Sequence, residues 1–212
     1  MAPLFPNLTL LTQNDATENA LKQMGAPSIL HIATHGFFLE DAEFVPPPDP
    51  RGITLEPTVS STRPASRPIN NENPLLRSGL ALAGFTPRQS GSEDGVLTAL
   101  EASQLDLYGT DLVVLSACDT GLGDVANGEG VYGLRRAFVI AGAESLLMSL
   151  WQVSDNGTAE LMTRYYQRLQ AGQGRSEALR ETQLELMQTP EYAHPYYWAS
   201  FIFSGDWRSL GS

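Results

Sequence analysis

Cys118, the chain's single cysteine, and three histidines, His31, His35 and His194, are the side chains here best suited to nucleophilic or proton-transfer chemistry. Cys118 follows Leu112 to Leu115, an unbroken aliphatic run of the kind found in a strand buried on both faces of a parallel sheet. His35, beside Gly36, follows a second apolar run, Ser28 to Ala33. A thiol is a weak nucleophile near neutral pH. A neighbouring imidazole favours its ionisation and can later protonate a leaving amine. Adjacent parallel strands lie about 4.8 Å apart, so two strand ends could bring such a pair together. The spacing permits this contact without showing it, and a lone cysteine is also commonly an inert buried residue.

The other two histidines suit chemistry less well. His31 and His35 are four residues apart, which on a helix would make a metal-binding pair. Their apolar neighbours Ile29, Leu30, Ile32 and Ala33 indicate a strand instead, where four residues span about 13 Å at about 3.3 Å each. Neither metal nor cofactor is therefore expected, and His31 reads as a structural histidine within the sheet. His194, before Pro195, reads as a turn or surface residue.

The elements that must position these groups alternate between strand and helix. A short strand is predicted over Leu8 to Thr12. Asp15 with Glu18 resembles a capping box opening a helix to Met24, which Gly25 and Pro27 end. After the strand Ser28 to Ala33, seven of fourteen prolines fall within residues 40–73, which read as a long loop or insertion. Ser78 to Gly84 is a further strand candidate, and Thr98 with Glu101 another capping box, before a short helix to Leu107. Beyond the strand leading to Cys118 and a turn at Gly121 to Asp124, the spacing of Val131, Leu134, Phe138 and Ala141 predicts a helix from about Glu129. Glu144 to Val153 reads as a buried strand, Asp155 to Gln170 and Ser176 to Met187 as helices, and Trp198 to Phe203 as a last strand. Such alternation implies one α/β domain with a mostly parallel sheet covered by helices on both faces.

With 212 residues the chain can form one sizeable core. Its net charge of −11 and single lysine, Lys22, leave no basic footprint for nucleic acid or anionic lipid. No run approaches membrane-spanning length and no signal-peptide pattern opens the chain, so no membrane partner is expected. One cysteine allows no internal disulfide, and the expected location is cytoplasmic.

Several separated stretches together strongly resemble one family. They are Leu30 to Gly36 (LHIATHG), Asn73 to Leu76 with Ser78 to Leu80, Ser116 to Gly121 (SACDTG), Leu150 to Asp155 (LWQVSD) and Tyr197 to Phe201 (YWASF). In order and spacing they are similar to the CHAT domain, a relative of the caspase-like, clan CD cysteine peptidases and close to separase. The resemblance covers essentially all of residues 1–212 and implies a caspase-like three-layer sandwich. It implies His35 as the catalytic histidine, Cys118 as the nucleophile, and the backbone N–H groups of Gly36 and Cys118 as the oxyanion hole. By resemblance to separases, Asp155 is the candidate acid of an S1 pocket for a basic P1 residue, with Asp119 and Glu144 secondary. Separases carry an acid directly after the tryptophan, where this chain has Gln152. Asp155 could equally cap the helix that follows it.

The expected activity is cleavage of a protein or peptide substrate, governed by a tetratricopeptide-repeat region or a regulatory protein. With a basic P1, Arg51, Arg63 and Arg67 in the proline-rich segment become possible self-cleavage sites. The alternative is a catalytically silent or latent interaction module on the same fold. A flavodoxin-like nucleotide binder fits poorly, because Gly121 and Gly123 lack the lysine or third glycine of a phosphate-cradling loop.

Overall fold

The computed structural model describes residues 5, 7–38, 74–86, 89–116, 118–119, 129–151 and 154–211. Among these, eight strands run in chain order as β1 (Ile29–Ile32), β2 (His35–Phe38), β3 (Ser78–Ala81), β4 (Val96–Thr98), β5 (Leu112–Leu115), β6 (Cys118–Asp119), β7 (Ser145–Ser149) and β8 (Phe201–Gly205). The helices are α1 (Glu18–Lys22), α2 (Ala99–Ala102), α3 (Glu129–Ile140), α4 (Asp155–Gln170) and α5 (Arg175–Gln188). The proline-rich segment 40–73, with Arg51, Arg63 and Arg67, and the turn expected at Gly121 to Asp124 lie outside the described residues.

The central strand β5 shows why the molecule is layered. Its side chains alternate between two apolar clusters, Val113 and Leu115 joining one, Leu112 and Val114 the other. A strand whose two faces are both apolar needs cover on both sides. On the first face, Leu134, Ala137, Phe138 and Ala141 of α3 and its C-terminal turn pack with Ala99 and Ala102 of α2 and Leu80 of β3. On the second, Leu161, Met162, Tyr165, Tyr166 and Leu169 of α4 join Ala178, Leu179 and Leu186 of α5. At about 25 cal/mol per Å² of apolar surface, burying each of these larger side chains contributes about 2 kcal/mol before the ordering cost. The result is an α/β three-layer sandwich, the architecture that the resemblance implies.

The main sheet has the order β1-β5-β7-β8, with β1, β5 and β7 parallel and β8 antiparallel along β7. The expected boundaries of α3, α4 and α5 agree with the structure to within about a residue. Gly142, at φ +106°, ends α3 in a conformation costly for any residue with a Cβ. The capping box at Thr98 and Glu101 forms in full, each side chain accepting from the other's backbone N–H.

Other expectations fail for local reasons. Leu8 to Thr12 is not a strand; it is exposed, irregular chain with no partner strand among the described residues. The first helix is capped by Thr17, whose hydroxyl accepts from Ala20 N–H at 3.1 Å, rather than by Asp15, and it is only five residues long. A second sheet, of order β4-β3-β2-β6, contains the expected strand at Ser78 as β3, but the sequence does not announce the sheet itself. Two of its four strands, β4 and β6, have only three and two residues, too few for a period to show.

Candidate active site

β1 and β5 run side by side in the main sheet and end together, Ile32 opposite Leu115. Ser116 N–H then donates to the Ile32 carbonyl at 2.9 Å, closing the ladder. Three residues beyond the end of each strand the pairing resumes in the second sheet, where β2 and β6 are parallel and His35 stands opposite Cys118. The Thr34 hydroxyl, donating to the Ala81 carbonyl, anchors the step into β2. The two residues thus open strands of the second sheet and do not end strands of the first, which corrects the expected placement while keeping the pair together. Facing positions of a parallel ladder are about 4.8 Å apart.

Gly36, buried beside the exposed His35, is opposite Asp119. The stretch 120–128, following the SACD motif, and Gln152 with Val153 lie outside the described residues.

Asp155 reaches the same end of the molecule by a different route. Because β1, β5 and β7 are parallel, their C-terminal ends share one edge of the sheet, and Asp155 follows the end of β7 by six residues. The helix it opens is capped by Ser154, whose hydroxyl accepts from Gly157 N–H at 3.0 Å. Asp155 itself is exposed in the first turn, so the capping role weighed for it belongs to its neighbour. Glu144 precedes β7 and therefore sits at the opposite edge, where it pairs with the Arg175 guanidinium at 3.3 Å. That placement removes it as a candidate for the site.

The other histidines take the roles expected of them. His194 is exposed and caps a 3₁₀ turn, its Nδ1 accepting from Tyr196 N–H at 3.2 Å. His31 faces the α4 side of the sheet, with Nδ1 2.9 Å from the Tyr166 hydroxyl and Nε2 3.2 Å from the Ser116 hydroxyl. Burial pushes its pKa down to about 4, so the ring is neutral at pH 7. His31 and His35 belong to different sheets. The hydrogen bonds of His31 were not readable from sequence, because Ser116 and Tyr166 are 85 and 135 residues away.

One acidic cluster has the composition of a cation site. Glu18, Glu93 and Glu101 bring carboxylate oxygens within 4.8 Å of one another. The Lys22 ammonium already sits among them, 2.8 Å from Glu18 and 3.0 Å from each of the others. Burial disfavours its charge, but the hydrogen bonds to the three glutamates outweigh that and raise its pKa. The cluster is a structural ion-pair network tying α1 to α2 and the chain before β4.

Together the three-layer sandwich, Cys118 and Asp119 on a short strand and the HG pair opposite them define a caspase-like α/β architecture. The chain belongs to the CHAT domain family, whose match spans residues 1–206. It is 33% identical over 117 residues to tetratricopeptide repeat protein 28 of Homo sapiens and 32% identical over 117 residues to that of Mus musculus. Each match covers 55% of this chain and 5% of the relative, so the chain aligns with only a small part of those proteins.

Proposed function

We propose that this chain is a cysteine endopeptidase in which His35 and Cys118 form the catalytic dyad. The observation that carries the reading is the register of β2 against β6, with His35 directly opposite Cys118. Family membership supports it at the level of a caspase-like, peptidase-related domain.

In the proposed reaction the Cys118 thiolate attacks the scissile carbonyl carbon, and the carbonyl π electrons move to oxygen. The N–H groups of Gly36 and Cys118 donate to that oxyanion, an interaction worth several kcal/mol of barrier in enzymes that use it. His35, as imidazolium, protonates the departing amine as the C–N bond breaks, leaving a thioester on Cys118. Neutral His35 then takes a proton from water, whose oxygen attacks the thioester. The acid product departs and the thiol is regenerated. Asp155, exposed at the same sheet edge, lines the P1 site and selects arginine or lysine by a charge-assisted hydrogen bond. A tetratricopeptide-repeat region, of the kind named in the relatives, governs access of the protein substrate.

The test uses peptide electrophiles with arginine or glutamate at P1 and intact-mass analysis of the adduct. The arginine probe labels Cys118 selectively, and labelling disappears in Cys118→Ala and slows in His35→Ala. No labelling in the presence of a repeat region and candidate partners would instead favour a catalytically silent interaction module.

A further inference from the structure

The part-buried hydrogen-bond chain Tyr166–His31–Ser116 lies behind the place where β1 and β5 leave the main sheet. We propose that His31 is a positioning residue for the dyad, clamping the β5-to-β6 step through Ser116 and held in one tautomer by Tyr166. This rests on the reading of His35 and Cys118 as a dyad. His31 is four residues before His35 in the β1–β2 segment, and Ser116 two residues before Cys118 in the β5–β6 segment.

Two devices act on this step. Ser116 N–H donates to the Ile32 carbonyl, fixing the main chain, and the His31 ring holds the Ser116 hydroxyl, fixing rotation about the residue that leads towards Cys118. The proton order follows from burial. Tyr166 is 2% exposed, its phenol is kept protonated by burial, and among the described residues the acceptor beside it is His31 Nδ1. A buried phenol left without an acceptor costs free energy, so its O–H donates to Nδ1. The ring proton then resides on Nε2 and is donated to Ser116 Oγ, while the less buried Ser116 can turn its own O–H elsewhere. Phe5 packs edge-on against Tyr166, with ring centroids 5.3 Å apart, and steadies the phenol.

A clamp of this kind predicts a defect in the chemical step with little change in substrate binding. Ser116→Ala removes one hydroxyl and keeps the backbone bond to Ile32. With the arginine electrophile, its maximal labelling rate at Cys118 should fall about tenfold while the half-saturating concentration stays within twofold; Ser116→Thr, which keeps the hydroxyl, should recover most of the rate. In ¹⁵N-resolved imidazole spectra, wild-type His31 should show the Nε2–H tautomer from pH 5 to 8, and Tyr166→Phe should mix the tautomers. A wild-type His31 with its proton on Nδ1, or a Ser116→Ala protein that labels at the wild-type rate, overturns the clamp and leaves the dyad standing. Failure of the wild type to label at all removes the dyad and the clamp with it.

Discussion

The two edges of the main sheet are built to opposite ends. At the edge formed by the starts of β5 and β7 and the end of antiparallel β8, polar groups are consumed by one another. Arg175, fully buried, donates to the carbonyls of Asp111 and Arg208 and to Ser145 Oγ, and its guanidinium lies 3.3 Å from Glu144 and 3.5 Å from Asp206. Asp206 is in turn held well below the usual carboxylate range by hydrogen bonds from Arg208, first through its side chain and then its backbone. At the other edge, where β1, β5 and β7 finish, His35 and Asp155 are exposed, and no hydrogen bond ties either side chain among the described residues. A buried charge must be fully paired to be tolerated, whereas a group that is to meet a substrate must be left unpaired until it arrives. On the proposed reading one edge is the fold's fastening and the other its workplace, and the difference argues for reading Asp155 and Glu144 differently although both are acids flanking β7.

That contrast can be broken most directly by deleting one group from each edge. At the open edge, Cys118→Ser should abolish labelling and peptide cleavage, and His35→Ala should slow them about 10²- to 10⁴-fold, with denaturant midpoints unchanged. At the fastened edge, Arg175→Met should remove the side-chain donor to the Asp111 and Arg208 carbonyls, each of which keeps a second donor, and cost about 1–3 kcal/mol of stability by urea unfolding. Equal stability losses at both edges would erase the distinction.

His31 stands between the two cases, half-buried where Arg175 is fully buried, and close to the other edge. Its folded pKa of about 4 lies below the ordinary histidine value of 6.5, so the unfolded chain takes up the proton first as pH falls. The contribution of this neutral ring is therefore complete above about pH 6.5, declines between 6.5 and 4, and is flat below. The lost stability amounts to about 3 kcal/mol. Carboxylates titrate in part of the same window, so the relevant measurement is the stability difference between wild type and His31→Gln across pH 4 to 7.5. A difference that does not narrow on acidification contradicts the buried neutral ring.

How much of this was legible beforehand differs between the two sheets for a physical reason. The main sheet writes itself into the sequence: Leu112–Leu115 needs apolar cover on both faces, and α3 and α4 carry their side of that cover at helical spacing. The second sheet leaves little trace. β6 has two residues and β2 is HGFF, so nothing alternates, and the apolar runs before His35 and Cys118 point to strand ends where the two residues are strand beginnings. Motif resemblance supplied the pairing that periodicity could not. Caps divided in the same way: Thr98 with Glu101 is a reciprocal motif within four residues, while Thr17 and Ser154 compete with nearby Asp15 and Asp155 for a position that only backbone angles decide. The partners of Arg175 and His31 come from distant parts of the chain and have no local signature.

Two smaller changes sharpen the comparison at neighbouring positions. Asp155→Asn should reduce the preference for arginine over glutamate at P1 by about tenfold to a hundredfold, the value of one charge-assisted hydrogen bond, with little effect on stability. Ser154→Ala should do the reverse. It removes the acceptor for Gly157 N–H and costs about 1 kcal/mol of stability, measured as a shift in urea midpoint, while P1 preference is unchanged. The pair separates two duties that sequence alone merges at the start of α4. If Asp155→Asn instead lowered stability and left selectivity intact, the aspartate would belong with Glu144 among the fold's fastenings, and the basic P1 site would have to be sought in other residues of the open edge.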